Sequence, residues 1–203
     1  MPIHEFIMRI AVSHLKIGNR VMQLKKSFYL GLAALLTLFA ASSLRAASGD
    51  TSTNPEQYRL RLYHLHTGER IDVVYRVGDH YMPNAVAELD RFLRDHRTGD
   101  EKDYDVKEFD LLHDLMAQLG HPNGEIDIVC GYRTPWSNNW LRQHGHGVAE
   151  HSQHMEAKAI DIRIPGVPTA QVRDTALAMQ RGGVGYYASS DFVHVDVGRV
   201  RRW

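Results

Sequence analysis

An α+β fold built on a small antiparallel sheet is the class this sequence predicts, and three observations predict it. Runs with period-two alternation are short and are interleaved with helical stripes of period three to four. The first two strand-like runs are separated by His66-Thr67-Gly68-Glu69-Arg70, a turn that closes a hairpin rather than a parallel crossover. Two later runs each put Ile or Val on one side and Asp or His on the other, as half-buried strands do. No internal repeat or low-complexity tract interrupts this order, and α+β is preferred to a wound parallel sheet.

Taken in order, Tyr58–His64 sets Tyr58, Leu60, Leu62 and His64 against Arg59, Arg61 and Tyr63. Ile71–Tyr75 is rich in β-branched residues, and Gly68 between them can take φ > 0. Pro83-Asn84 opens a helix with Val86, Leu89, Phe92 and Leu93 on one face, ending near Arg97-Thr98-Gly99. A second helix spans Val106–Leu119, with Phe109, Leu112, Leu115, Met116 and Leu119 inward and Gly120 as its stop. Ile126–Cys130 is a short buried strand, Trp136–Gln143 a short helix and 145–147 a bend. Ala159–Ile164 is a strand ended by Pro165-Gly166, and Thr169–Gln180 is a third helix with Val172, Ala176 and Met179 as its stripe. Gly182–Gly185 reads as a turn and Phe192–Val197 as the last strand.

With 24 basic and 24 acidic residues, the chain has neither a basic excess for nucleic acid nor an acidic tail. From Met22 it reads as an export signal: Lys25 and Lys26, the apolar run Phe28–Ala41, then Ala41, Ser42 and Ser43. That run is about 14 residues where a bilayer span needs roughly 20, so cleavage is expected. Retention as an anchor is the alternative, because Leu44 and Arg45 interrupt the small residues. Residues 1–47 are thus an N-terminal extension and signal, 48–57 a polar linker and 58–203 the functional domain, with no integral membrane part unless the signal is kept. Cys130 is the only cysteine, so no internal disulfide forms; in its apolar run it reads as a buried, inert thiol.

The chemistry concentrates in Ser152–Asp161 and Phe192–Asp196. Ile160, Ile162 and Ile164 share a strand face, which turns Asp161 to the other; Val193, Val195 and Val197 do the same for His194 and Asp196. If the strands are neighbours, Asp161 and His194 reach one ion, and His154, seven residues before Asp161, offers a third ligand. Two nitrogens and one oxygen leave a fourth position open, as in catalytic rather than structural zinc sites. A general base is needed: Asp191, three residues before His194, and Asp196, on the His194 face, are both candidates. Arg133, at the end of a buried strand, suits a peptide carboxylate, and Asn138 and Ser152 offer further hydrogen bonds. Against this, His-x6-Asp arises readily by chance and a polar strand face is often simply solvated. Among the 13 histidines, His64, His66, His80, His96, His113, His121, His144 and His146 lack comparable pairing and read as structural or surface residues. His151, near the motif, also reads as a surface residue.

At these residues the chain resembles a family. Ser-x-His-x6-Asp followed by His-x-Asp is similar to the zinc peptidases of the D-alanyl-D-alanine carboxypeptidase and dipeptidase group, which share a metal-site fold with the hedgehog signalling domain, and in particular to the murein endopeptidase K branch. His66-Thr67-Gly68-Glu69, Arg94–Gly99, Gly131–Pro135 and Gly182–Tyr187 carry the likeness across nearly all of 58–203. The resemblance implies one zinc ion held by His154, Asp161 and His194, with Arg133 placing the substrate. It also implies a periplasmic endopeptidase cutting peptidoglycan cross-links, those between diaminopimelate residues being the expected target. Trimming of stem peptides by a carboxypeptidase or dipeptidase is the alternative activity; a non-catalytic wall-binding module with a structural metal is the alternative from another class. In some relatives the acid three residues before the last His is the base, which favours Asp191. Ala157 departs from a frequent glycine, and Lys25-Lys26 replaces the twin arginines common in that branch.

Overall fold

A computed structural model describes residues 55–145 and 147–203. The export signal, the linker up to residue 54 and His146 therefore lie outside the described residues. Strands β1 (Gln57–His64) and β2 (Arg70–Val77) form the expected hairpin, with Leu60 opposite Val73 and Leu62 opposite Ile71. A short β3 (His80–Tyr81) adds to its outer edge. Helix α1 (Pro83–Phe92) starts on a proline, whose missing N–H costs nothing at a helix start. Helix α2 (Val106–Gln118) is capped by the Asp105 carboxylate, which accepts from Lys107 N, and is followed by Gly120 at φ +77°. Then come β4 (Ile126–Cys130), α3 (Pro135–His144), β5 (Ala159–Arg163), α4 (Thr169–Met179), β6 (Gly183–Tyr187), β7 (Phe192–Asp196) and β8 (Arg201–Arg202).

The fold is mixed α+β, with four helices and one eight-stranded sheet among the described residues, ordered β3-β2-β1-β4-β5-β7-β6-β8. The expected small antiparallel sheet is corrected in two places: β1 with β4, and β6 with β8, are parallel pairs. The first follows from the connection, since α1 and α2 lie between β1 and β4 and make a crossover long enough to return the chain in the same direction. The Gly182–Gly185 turn is also corrected, because most of it belongs to β6. Two glycines hid the strand from a reading based on side-chain alternation. Helix α1 stops at Phe92 rather than near Gly99, and turns fill much of 93–99. Inside that segment the buried Asp95 carboxylate accepts from Arg97 N at 2.9 Å and from Thr134 N and Oγ1 at 2.8 Å each.

One core joins Leu60, Leu62, Ile160, Ile162, Val193 and Val195 of the sheet to Phe109 and Leu112 of α2 and Val172 and Ala176 of α4. Each fully buried side chain of this kind contributes roughly 1.5–3 kcal/mol, which holds β5 and β7 side by side without help from a disulfide. No helix among the described residues is long and apolar enough to cross a membrane.

Glu108 of α2 is an exception inside this core. It is fully buried and neither carboxylate oxygen has a hydrogen-bond partner. Burial, reinforced by the nearby Asp196 charge, raises its pKa well above the ordinary 4.5. An acid whose folded pKa lies above its unfolded one stabilises the fold below the unfolded value, and that stability is lost as pH climbs from there through the folded pKa. Glu108→Gln is therefore expected to raise Tm at pH 8 and to change it little at pH 4, measured by thermal unfolding; an equal shift at both would show that ionisation is not the cost.

Candidate metal centre

β5 and β7 pair antiparallel, with Asp161 opposite His194 and Ala159 opposite Asp196. Their Ile and Val faces go to the core, so the same alternation turns Asp161 and His194 toward a cleft of about 330 Å³. His154 arrives from a one-turn 3-10 helix, Gln153–Glu156. The Ser152 hydroxyl caps it by accepting from His154 N at 3.3 Å. The turn leaves through Ala157 at φ 50°, ψ 47°, a left-handed conformation that costs a residue bearing Cβ roughly 1–2 kcal/mol. The frequent glycine at this place in the resembled family has that physical meaning.

Three donor atoms meet. His154 Nε2 lies 3.1 Å from Asp161 Oδ1 and 3.0 Å from His194 Nδ1, and His194 Nδ1 lies 2.9 Å from Asp161 Oδ1. Ligands on a tetrahedral ion with bonds of about 2.0–2.2 Å sit about 3.3–3.6 Å apart, so the triangle needs to open by only a few tenths of an ångström.

The outer nitrogens decide what the inner ones carry. His154 Nδ1 is 2.7 Å from the Gly131 carbonyl, which can only accept, so that nitrogen bears the proton and Nε2 presents a lone pair. His194 lies between two carboxylates, Nε2 3.0 Å from Asp196 and Nδ1 2.9 Å from Asp161; with its proton on Nε2, held by Asp196, Nδ1 presents a second lone pair beside the Asp161 oxygen. Gly131 reaches His154 because β4 runs hard against the end of α1: a Cβ there would meet Leu93 O at 2.5 Å. Three electron-rich atoms thus converge in a site where burial leaves little water to separate them. The arrangement calls for a positive charge between them.

The titration behaviour agrees. Burial pushes His154 down to about 4, so it does not supply that charge at neutral pH. Burial also opposes a charged His194, but the carboxylates of Asp161 and Asp196 outweigh it and raise its pKa. Asp161 is held well below the usual carboxylate range by the two imidazoles, against its own burial. A proton on His194 is what a bound cation would displace.

The sequence candidates for a base are placed differently. Asp196 is wholly buried and accepts from Gly183 N, Gly198 N, both terminal nitrogens of Arg201 and His194 Nε2. Its oxygens are committed to holding His194. Asp191 is exposed at the start of β7, hydrogen-bonded to the Thr169 hydroxyl and 3.2 Å from Arg163 Nε; its neighbours Ser190 and Phe192 line the cleft. Arg133 is buried, with Nη1 3.4 Å from Asn138 Oδ1, Nη2 4.0 Å from Asp161 Oδ2 and Nε without a partner. Asn138 in turn donates to the Ala149 carbonyl, tying α3 to the cleft wall.

Three residues given no role from the sequence stand at the site. Cys130 has a sulfur within 4.8 Å of the His154 and Asp161 donor atoms and makes a second possible ligand set with them. Strand alternation puts Cys130 on the Ile128 face, but an irregularity in the β4–β5 register sets it opposite Asp161 instead. Burial pushes its thiol up to about 12, so it is protonated and a poor ligand beside the tighter His-Asp-His triangle. His66 and His96, read as surface or structural, stack at 4.1 Å and 11° on the cleft wall. At the opposite end Trp203 closes over His194, with ring centres 5.1 Å apart. A Cβ on Gly185, which pairs with His194, would meet its indole at 2.6 Å.

A buried His-Asp-His triangle at the floor of a peptide-sized cleft defines a class, the metal-dependent peptidases. The family model described as Peptidoglycan L,D-endopeptidase MepK matches residues 52–203, and the chain belongs to that peptidase family. It is 36% identical over 173 residues to the Probable peptidoglycan L,D-endopeptidase MepK of Haemophilus influenzae, covering 85% of this chain and 90% of the relative. It is 37% identical over 179 residues to the Peptidoglycan L,D-endopeptidase MepK of Escherichia coli, covering 88% and 96%. No solved structure gives a significant match.

Two outcomes are expected. Cys130→Ala keeps one equivalent of bound divalent metal by elemental analysis while His194→Ala loses it; the reverse would assign the ion to the cysteine set. Asp196→Asn, which lets the side chain donate to His194 Nε2 and move the proton to Nδ1, weakens metal binding about 10–100-fold in a chelator competition.

Proposed function

We propose that the protein is a zinc-dependent peptidoglycan endopeptidase of the cell envelope that hydrolyses peptide cross-links, those joining diaminopimelate residues being the favoured target. The observation that carries this is the convergence of His154 Nε2, Asp161 Oδ1 and His194 Nδ1, three atoms that can each offer a lone pair to one cation. Membership of a family whose relatives bear the name peptidoglycan L,D-endopeptidase supports the substrate. Two imidazole nitrogens and a carboxylate oxygen suit zinc among the common divalent ions. The fold we infer is the hedgehog/DD-peptidase type, and the location the periplasm, reached through the N-terminal signal in 1–47.

When bound, zinc supplies Lewis acidity and brings the pKa of a water toward neutrality. The chain's own groups do the rest. Asp196 and Arg201 fix the His194 ring, and Gly131 O fixes that of His154, so neither must reorganise during the reaction. Arg133, buried with an unpartnered Nε, receives a carboxylate of the peptide and sets the scissile amide over the site. Of the two candidate bases Asp191 is assigned the proton transfer. Its present partners are a surface hydroxyl and a surface guanidinium, contacts weak enough to exchange, whereas Asp196, itself wholly buried, would have to abandon five donors. Trp203, Tyr187 and Phe192 form an apolar end that keeps bulk water away.

Purified cross-linked muropeptide dimers separate this activity from stem-peptide trimming, since only an endopeptidase yields monomers of the corresponding mass. His154→Ala is expected to abolish both zinc content and conversion while thermal unfolding remains cooperative. Asp191→Asn is expected to keep zinc and lose about 10²–10⁴-fold in kcat. Full conversion of dimer by the His154 variant would remove the metal from the reaction.

A further inference from the structure

We propose that Arg97 is a second carboxylate-binding residue of the cleft, acting beside Arg133 and selecting substrates that carry two carboxylates near the scissile amide. The inference rests on the endopeptidase reading above and specifies its substrate class. Arg97 and Arg133 both line the cleft, and Asp161, itself a candidate metal ligand, is the one carboxylate on its wall among the described residues. Once a divalent cation balances that acid, the two guanidiniums are the wall's remaining side-chain charges and make it complementary to an anionic peptide.

Arg97 pairs with no carboxylate among the described residues. Its guanidinium lies 5.4 Å from the centre of the Trp140 ring, a contact that orients the side chain and leaves its donors unused. The backbone beneath it is rigidly set. Asp95 accepts from Arg97 N and from both Thr134 N and Thr134 Oγ1, so one buried carboxylate ties the segment carrying Arg97 to the segment carrying Arg133. Gly99 N to Asp95 O at 2.7 Å and Asp95 N to Asp100 O at 3.0 Å close the turn. Two guanidinium-bearing loops locked to a common pin are a pre-organised two-point recognition wall. The stacked imidazoles of His66 and His96 border Arg97; burial pushes His96 down to about 4, so at neutral pH it adds N–H donors without competing charge.

The chemistry of the substrate matches. A cross-link between two diaminopimelate residues carries one free carboxylate beside the amide nitrogen and another at the far end of the residue that donates the carbonyl. In a link through a terminal alanine the residue that donates the carbonyl has no free carboxylate, and the nearest one on that strand lies a residue further from the amide. Two separate guanidiniums therefore have two ligands flanking the amide in the first case and one in the other.

The test uses zinc-loaded wild type, Arg97→Gln and Arg133→Gln with three synthetic dimers: both carboxylates free, and each amidated in turn. Arg97→Gln is expected to lower kcat/KM on the free dimer about 10–100-fold. Amidating one particular carboxylate should lower the wild type equally and add nothing in that variant, and the other carboxylate should stand in the same relation to Arg133→Gln. The proposal is overturned if both amidations keep their full effect in Arg97→Gln, or if the same amidation is silenced by both variants. Calorimetric binding of the dimers separates the two levels: Arg97-dependent binding without cleavage strikes the endopeptidase reading alone, and neither cleavage nor Arg97-dependent binding removes both.

Discussion

Two imidazoles and a carboxylate held face to face in a buried site need a positive charge among them, a proton on His194 or a bound cation, and the fold fixes all three in place. His154 is pinned by a backbone carbonyl, His194 by a carboxylate that is itself clamped by Arg201 and two backbone N–H groups, and Asp161 by its place on a central strand. None of these supports lies on the cleft side. The geometry is therefore imposed from behind, by elements whose stability comes from the Ile and Val faces of β5 and β7. Opening the triangle would mean disturbing core packing or Asp196's clamp.

The same construction recurs around the cleft at lower stakes. Asp95 does for Arg97 and Arg133 what Asp196 does for His194: a buried acid, saturated by donors, sets the position of residues whose working atoms face the other way. Asp95 and Asp196 are thus positioning devices. Glu108 contrasts with them, since without donors its pKa is raised well above the ordinary range by burial. Asp191, by contrast, is exposed and held only by the Thr169 hydroxyl and the Arg163 guanidinium.

Much of this was legible in the sequence because the site sits on strands. Period-two alternation around Ile160/Ile162 and Val193/Val195 turns Asp161 and His194 to a common face, and the pairing in register makes them neighbours. What stayed hidden has physical causes. Cys130 reached the cleft through an irregular register, which alternation cannot foresee. Strand β6 carries glycine where Trp203 needs room, so the residues that make it a cleft wall are those that erase its strand signature. The joining of His66, from the hairpin turn, with His96, from beyond α1, depends on tertiary contacts between segments 30 residues apart, and neither has a local pattern that names the other. The parallel partners of β1 and β6 were likewise set by long connections rather than by the strands themselves.

Ala157 shows how far such a site tolerates local strain. The turn that delivers His154 needs a left-handed residue, and the chain supplies alanine where glycine would adopt it freely. Replacing it with glycine would relieve the Cβ conflict but enlarge the conformational freedom of the unfolded chain, two effects of similar size and opposite sign. The His154 carbonyl accepts from Arg133 N at 3.2 Å and from Ala157 N at 3.3 Å, and Ala157 O accepts from Asp105 N at 3.1 Å. These contacts over-determine the conformation, linking the turn of His154 at once to Arg133 and to the cap of α2. Strain of roughly 1–2 kcal/mol persists there because releasing it would displace His154 and Arg133 together.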